Sequence, residues 1–145
     1  MARYLIVAHQ TAASPELVEK VGALATADPG LEFALLVPAT PINHLLHNWD
    51  ETQVHEIAKR QAMAAIDALA KIGVSVVSAR IGDPQPMLAV EDEMREYEGY
   101  TGIVVSTLPP GRSRWLRADL PTKLARRYPI PVEHVVSTPV PAPSR

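Results

Sequence analysis

The sequence contains no cysteine, which excludes a disulfide framework, a thiolate nucleophile and a cysteine metal site. Aromatic residues make up only 5% of the chain although 47% of it is hydrophobic, so the core must consist mainly of Val, Leu, Ile and Ala. Such a core is typical of a sheet that is covered by helices. The length of 145 residues suits one domain, expected over residues 1–137, with a proline-rich tail over residues 138–145.

The sequence also lacks a large net charge: it has 14 basic and 16 acidic residues, which give a net charge of -2. This balance gives no global reason to expect nucleic acid or an anionic membrane as a partner. There is no signal-peptide pattern, and no apolar run approaches the roughly 20 residues of a membrane span. The sequence therefore predicts a cytoplasmic protein whose partners have to be argued from local features.

Five apolar segments alternate with helical patterns along the chain. The predicted strands cover residues 4–8, 33–37, 74–81, 102–106 and 132–136, and four helices are predicted to start near residues 14, 50, 84 and 119. Their alternation predicts right-handed crossovers and a mainly parallel, doubly wound α/β sheet. Ligands of such sheets bind beyond the carboxyl ends of the strands, where the strand order reverses. We expect the loops after the first and fourth strands to form that site.

The stretch after the fourth strand carries the strongest local charge feature. A strand, a glycine-containing basic loop over residues 107–115 and a helix that Asp119 can cap form an arrangement that often binds anions. The basic residues between positions 112 and 127 are Arg112, Arg114, Arg117, Lys123, Arg126 and Arg127. One interpretation is that Arg112, Arg114 or Arg117 holds a phosphate or another anion together with the Ser113 hydroxyl and the Gly111 amide. The other is a solvated basic face that pairs with the acidic third helix or with a neighbouring subunit.

Several segments together carry a family resemblance. They are residues 5–8, the end of the second helix at 73–74, the turn at 82–84, residues 102–105 with a Gly-Arg-Ser loop, and the passage through Pro-x-Pro at 125–132. Over about residues 2–136 the chain resembles the universal stress protein family. The resemblance implies a five-stranded sheet of order 3-2-1-4-5, a regulatory role in stress, and a homodimer joined through Val132 to Val136.

Family members that bind ATP carry an aspartate after the first strand and a pattern of G-x-x-G, nine residues, then G-[ST]. Here Gln10 stands at the aspartate position, Ser106 and Pro109 stand near the first two glycines, and Ala118 and Asp119 stand at the last pair. A proline lacks an N–H, and Asp119 places a negative charge where the pattern has a hydroxyl. The resemblance thus implies ATP, another adenine nucleotide or a small phosphorylated ligand in an altered site. The candidate ligand-binding residues are His9, Gln10, Ser106, Thr107, Gly111, Arg112, Ser113, Arg114, Arg117 and Asp119.

Other interpretations stay open. A dimeric protein-interaction module that keeps the fold and binds no nucleotide is the alternative function. His9 could contact the ligand or be a hydrogen-bonded structural residue, and Trp115 could stack on a base or anchor the loop. His44 and His47 have a spacing that could bind a metal. The alternative is that they are ordinary loop histidines, and we predict no metal site. No serine lies in a nucleophile elbow, so no hydrolase mechanism is predicted.

Overall fold

The computed structural model describes residues 2–40 and 51–138. The histidine pair His44 and His47, the expected helix cap at Asp50 and the part of the predicted tail beyond Thr138 lie outside the described residues. The elements are β1 Arg3–Val7, α1 Pro15–Ala27, β2 Glu32–Pro38, α2 Glu51–Lys71, β3 Val76–Gly82, α3 Pro86–Glu96, β4 Gly102–Thr107, α4 Arg114–Arg117, α5 Leu120–Arg127 and β5 Val132–Val136.

All five strands run parallel in the order β3-β2-β1-β4-β5, which confirms the predicted fold class and strand order. The central strand is β1, in which Leu5 lies opposite Ala34 of β2 and Ile103 of β4. The chain moves from β1 towards β2 and β3 on one side, and β4 and β5 lie on the other. The strand order therefore reverses between β1 and β4, and the carboxyl ends of these two strands are the switch point of the sheet.

The sheet is covered on both faces, and β1 shows this most clearly. Ile6 packs with Leu17 of α1 in the apolar cluster that α1 and α2 cover. Leu5 and Val7 point to the opposite face and join the cluster that contains Leu124 of α5. Burial of each such side chain contributes about 1.5–3 kcal/mol to folding. This two-sided burial explains why the strand is a continuous apolar run in the sequence.

The predicted start of α1 is confirmed. Ser14 is its N-cap, and the hydroxyl of Ser14 accepts a hydrogen bond from the backbone N–H of Leu17 at 3.3 Å, with Pro15 in the first turn. A cap of this kind stabilises a helix by about 1 kcal/mol. It also fixes the point at which the loop after β1 ends, so that residues 9–13 are held between two defined positions.

The third strand begins two residues later than predicted, and the end of α2 explains the difference. Gly73 has a φ of 84°, and the N–H of Val74 donates to the carbonyl of Leu69 at 3.0 Å. This is the Schellman pattern that ends helices at a glycine. Because the N–H of Val74 closes the helix, the strand pairing starts only at Val76.

The described part of the chain contains five helices where four are predicted. The additional one is α4, a single turn that lies within and just beyond the segment predicted as a loop. It separates β4 from α5 and is described with the site below.

We predict that Gly102→Ala destabilises the fold by about 2 kcal/mol or more, because a larger residue would overpack a filled position. A Cβ at Gly102 would lie only 2.2 Å from Cζ of Tyr4, its neighbour across the β1–β4 pairing. Urea unfolding at neutral pH measures the loss. Gly22→Ala is the control, because its Cβ would meet only the end of the flexible Ile72 side chain at 3.2 Å. Equal midpoints for the two variants would contradict the prediction.

Candidate functional site

The loop after β1 reaches α1 through two tight turns. The N–H of Ala12 donates to the carbonyl of His9 at 3.1 Å, and the N–H of Ser14 donates to the carbonyl of Thr11 at 3.0 Å. These bonds satisfy backbone groups that have left the sheet. They hold the loop over the switch point.

A chain of three buried hydroxyl groups joins this loop to β4 and to the end of β5. Oγ1 of Thr11 lies 2.6 Å from Oγ of Ser106, which lies 2.9 Å from Oγ of Ser137. Their exposed fractions are 2%, 1% and 1%. The structure thus places the predicted site residue Ser106 at the switch point, where its hydroxyl is already hydrogen-bonded to Thr11 and to Ser137.

Thr11 and Ser137 were missed by the sequence reasoning. Both are polar residues at the end of a predicted strand or just beyond it, and parallel strands bring such ends to one edge of the sheet. That position is the signal that could have identified them. It would not have shown which hydroxyl pairs with which, because Thr11 and Ser106 are 95 positions apart.

His9 lies in the same loop and is buried, with 6% of its surface exposed. Neither ring nitrogen has a hydrogen-bond partner among the described residues. Burial lowers the pKa of His9 to about 4, so the ring is uncharged at neutral pH. A neutral imidazole offers one N–H donor and one nitrogen acceptor, and it brings no positive charge to a phosphate.

The remaining predicted residues at the strand ends have different surroundings. Gln10 is partly buried. Thr107 is buried, and its Oγ1 lies 2.8 Å from Nε2 of His134 on β5. Partial burial lowers the pKa of His134. Thr107 therefore links β4 to β5 at the same end of the sheet as the hydroxyl chain.

Gly111 belongs to a tight turn that immediately follows β4. The N–H of Arg112 donates to the carbonyl of Pro109 at 3.1 Å, and Gly111 has a φ of 88°. Proline at the second position and glycine with positive φ at the third are the features of a type II turn. The turn thus requires the glycine, and it leaves Gly111 and Arg112 exposed to solvent.

The next residues form α4 and attach it to the core. The buried hydroxyl of Ser113 is the N-cap of α4 and accepts a hydrogen bond from the N–H of Leu116 at 3.1 Å. Its own proton is still available for donation. Trp115 packs against the apolar cluster on the α3 and α5 face, so it anchors the loop. The predicted site residues Arg114 and Arg117 are the first and last residues of this turn.

Asp119 occupies the N-cap position of α5, but the predicted side-chain cap is wrong. Its backbone is left-handed, with φ 57° and ψ 43°, and its side chain makes no capping hydrogen bond. A capping side chain needs an extended N-cap backbone, which Asp119 does not have. Its N–H instead donates to the carbonyl of Leu116 at 2.9 Å, which joins α4 tightly to α5.

The basic segment divides into two parts. On α5, Nε of Arg127 lies 4.0 Å from Oε2 of Glu91 on α3, as the interpretation of a basic face paired with the acidic helix expects. Lys123 and Arg126 are exposed on the same helix. The arginines before α5 belong to the turn and to α4, next to the switch point. The contact of Arg127 supports the basic-face interpretation on α5, and phosphate binding by the arginines before α5 stays a prediction.

Residues 2–40 and 51–138 contain neither a metal-binding cluster nor a helix suited to a membrane. No group of three or more histidine, aspartate or glutamate residues there is arranged to hold a metal ion. None of the helices described has the length and apolar character of a membrane span.

The fold has known relatives, although no protein-family model and no curated protein matches the sequence. A protein of the universal stress protein family from Burkholderia pseudomallei is 16% identical, with a TM-score of 0.61 over 96% of each chain. The universal stress protein from Archaeoglobus fulgidus in complex with dAMP is 11% identical, with a TM-score of 0.62 over 93% of this chain and 98% of that one.

A universal stress protein family protein from Arabidopsis thaliana with AMP bound is also 11% identical, with a TM-score of 0.52 over 95% of this chain and 93% of that one. At such identities the similarity shows the fold. The chain therefore has the fold of the universal stress proteins, as its resemblance to them implies.

The buried state of His9 predicts a pH-dependent stability. The ordinary pKa of 6.5 falls to about 4 in the folded protein, so the unfolded chain binds an extra proton between these values. Stability is then complete above pH 6.5 and decreases as the pH falls towards 4, by about 2 kcal/mol at pH 5. His9→Phe should remove this part of the difference between urea midpoints at pH 7 and pH 5.

The control for this experiment is His55→Gln, which replaces an exposed histidine on α2 and should keep the wild-type pH dependence. A wild-type difference that survives in His9→Phe would show that other groups cause it.

Proposed function

We propose that this protein is a regulatory protein of the universal stress type that binds an adenine nucleotide or a smaller phosphorylated ligand at the switch point. The observation that carries the proposal is the 2.6 Å contact between Thr11 and Ser106. It ties the loop after β1 to the end of β4, from which the basic turn continues. We therefore treat the loop after β1 and the loop after β4 as one ligand site at the switch point.

The basic turn supplies the groups that a phosphate needs. Arg112 is exposed, Gly111 presents its backbone in a type II turn, and Arg114 begins α4 directly after the buried Ser113. Guanidinium groups bind phosphate oxygens through paired, charge-assisted hydrogen bonds. The phosphate end of a ligand is therefore assigned to residues 111–114.

Solved structures with the same fold support the choice of an adenine nucleotide. The Archaeoglobus fulgidus protein is in complex with dAMP, and the Arabidopsis thaliana protein has AMP bound. Departures from the ATP-binding pattern predict weaker binding here, because the hydroxyl of Ser106 is enclosed and Pro109 has no N–H to offer.

We predict that millimolar ATP, ADP or AMP raises the thermal midpoint of the protein by a few degrees. A ligand at about ten times its Kd stabilises the folded state by about 1.4 kcal/mol. The double variant Arg112→Ala with Arg114→Ala should lose most of this shift, measured as the difference with and without nucleotide for each protein. Lys123→Ala with Arg126→Ala is the matched control, since it removes the same charge from α5 and should keep the shift.

The result that would overturn the proposal is a midpoint unchanged by every nucleotide at millimolar concentration. An equal loss of the shift in both double variants would show a general charge effect and would remove the assignment to the turn.

The second candidate function is a protein-interaction module without a nucleotide. It is favoured by the hydroxyl of Ser106, which is 1% exposed and bonded on both sides where the ATP-binding pattern has a glycine. Mass spectrometry of the small molecules released when the purified protein is denatured distinguishes the two candidates. A stoichiometric nucleotide would exclude this one.

We also propose that the protein is a homodimer joined through β5. This strand pairs only with β4 among the described residues, and Val136 is 46% exposed. The N–H of Ser137 donates to β4, so the peptide N–H of the preceding residue faces outward. An unpaired strand edge of this kind readily pairs with a second chain.

The proposed interface predicts that Val136→Lys weakens the dimer at least about tenfold, because lysine on an edge strand opposes pairing. Sedimentation equilibrium at micromolar concentration measures the change. Val77→Lys on the opposite edge strand, β3, replaces a valine of the same 46% exposure and should leave the dimer intact. A wild-type protein that sediments as a monomer would contradict the proposal.

A further inference from the structure

His9 is polar at a position where an apolar ring would suit the fold better. The ring is buried, and neither nitrogen is satisfied by a described residue. The flanking residues Ala8 and Ala12 are also buried. Burying polar atoms without partners costs free energy that a phenyl ring in the same place would not cost. Packing therefore does not account for the imidazole.

The hydroxyl chain in the same loop has one donor to spare. Thr11, Ser106 and Ser137 have one hydroxyl proton each, and the two bonds between them use two protons. The third proton has no acceptor among the described residues, and the donor directions of the two bonds decide which of the three hydroxyls carries it. The buried part of the site thus offers one or two donors and one acceptor, and it contains no charge.

We propose that His9 is a specificity residue that forms a hydrogen bond to an uncharged heterocycle of the ligand, such as a nucleobase, and that any phosphate is bound apart from it by residues 111–114. This inference rests on the proposed function. Because burial keeps the ring neutral, it adds no Coulombic attraction for a phosphate. A buried pair of unlike nitrogens instead selects a group by its donors and acceptors.

The site then has two parts that differ in burial and charge. The inner part contains His9, Thr11 and Ser106, which are buried and neutral. The outer part contains Gly111 and Arg112, which are both exposed, and the guanidinium of Arg112 carries a positive charge. On this proposal a nucleoside would bind the inner part and a sugar phosphate would bind the outer part. Comparing the affinities of these two ligands therefore separates the contributions of the two parts.

The experiment is calorimetric titration with adenosine, AMP and ribose 5-phosphate. For the wild type we expect adenosine to bind within about tenfold of AMP, and ribose 5-phosphate to bind about 100-fold more weakly than AMP. His9→Phe should weaken adenosine and AMP by about tenfold, which is the loss of one hydrogen bond, and should leave ribose 5-phosphate unchanged. His9→Gln should restore part of the loss.

His134→Phe is the matched control, because it removes the second histidine that the described residues place at this edge of the sheet and should leave adenosine binding unchanged. The thermal midpoint of His9→Phe without ligand tests its folding, and His9→Gln serves as the second variant if the first does not fold. If His9 were purely structural, His9→Phe would change the affinities for all three ligands by the same factor.

The outcomes separate this inference from the proposed function. If His9→Phe binds adenosine as the wild type does, or if ribose 5-phosphate binds as tightly as AMP, the role of His9 is overturned and the nucleotide site remains. If none of the three ligands binds the wild type, both proposals are overturned.

Discussion

The burial of β1 on both faces determines where this molecule can place polar chemistry. Leu5, Ile6 and Val7 have no exposed surface and alternate between the two apolar clusters. A polar side chain within this strand would lack both water and a partner. The first polar side chain after the strand is therefore His9. In the neighbouring strand β4 the first polar side chain is Ser106, and parallel pairing brings both to the same edge of the sheet.

The hydroxyl chain then determines what this edge can bind. A phosphate needs several donors or a positive charge, and Thr11, Ser106 and Ser137 largely satisfy one another. These three residues leave one hydroxyl proton without a partner among the described residues, and none of the three carries a charge. Positive charge becomes available only beyond the type II turn, where Arg112 is exposed. The pattern of glycines that would bring backbone N–H groups close to a phosphate is thus replaced by a buried polar contact and a separate basic turn.

These features show what the sequence can and cannot predict. The strand order, the cap at Ser14 and the position of β5 follow from local patterns and from the family resemblance, and the structure has them. The late start of β3 depends on the hydrogen bond with which Val74 ends α2, and a run of apolar residues does not contain that information. The left-handed backbone of Asp119 likewise results from the short helix before it.

The sequence predicts the location of the candidate site more readily than its chemistry, and that location stays a prediction. Its location follows from topology, because carboxyl ends of parallel strands meet at one edge. Its chemistry depends on contacts between distant residues, such as Thr11 with Ser106, and on burial, which neutralises His9. Neither can be obtained from the residue types alone. The sequence leaves open whether His9 contacts a ligand or is structural, and its burial in the folded chain makes the ring uncharged.

The contrast between the two histidines described at this edge shows why His9 is informative. His134 lies beside the hydroxyl of Thr107, so the fold itself provides a partner for its ring. His9 is more deeply buried, and the described residues give its nitrogens no partner. Both rings lie at the carboxyl-terminal edge of the strands, and of the two only His134 is explained by a contact with a described residue. A local feature that opposes stability at such a place is the usual mark of a functional position. On the proposed role of His9, stability and recognition act in opposite directions at this residue, and a ligand that satisfies its ring must itself be able to form hydrogen bonds.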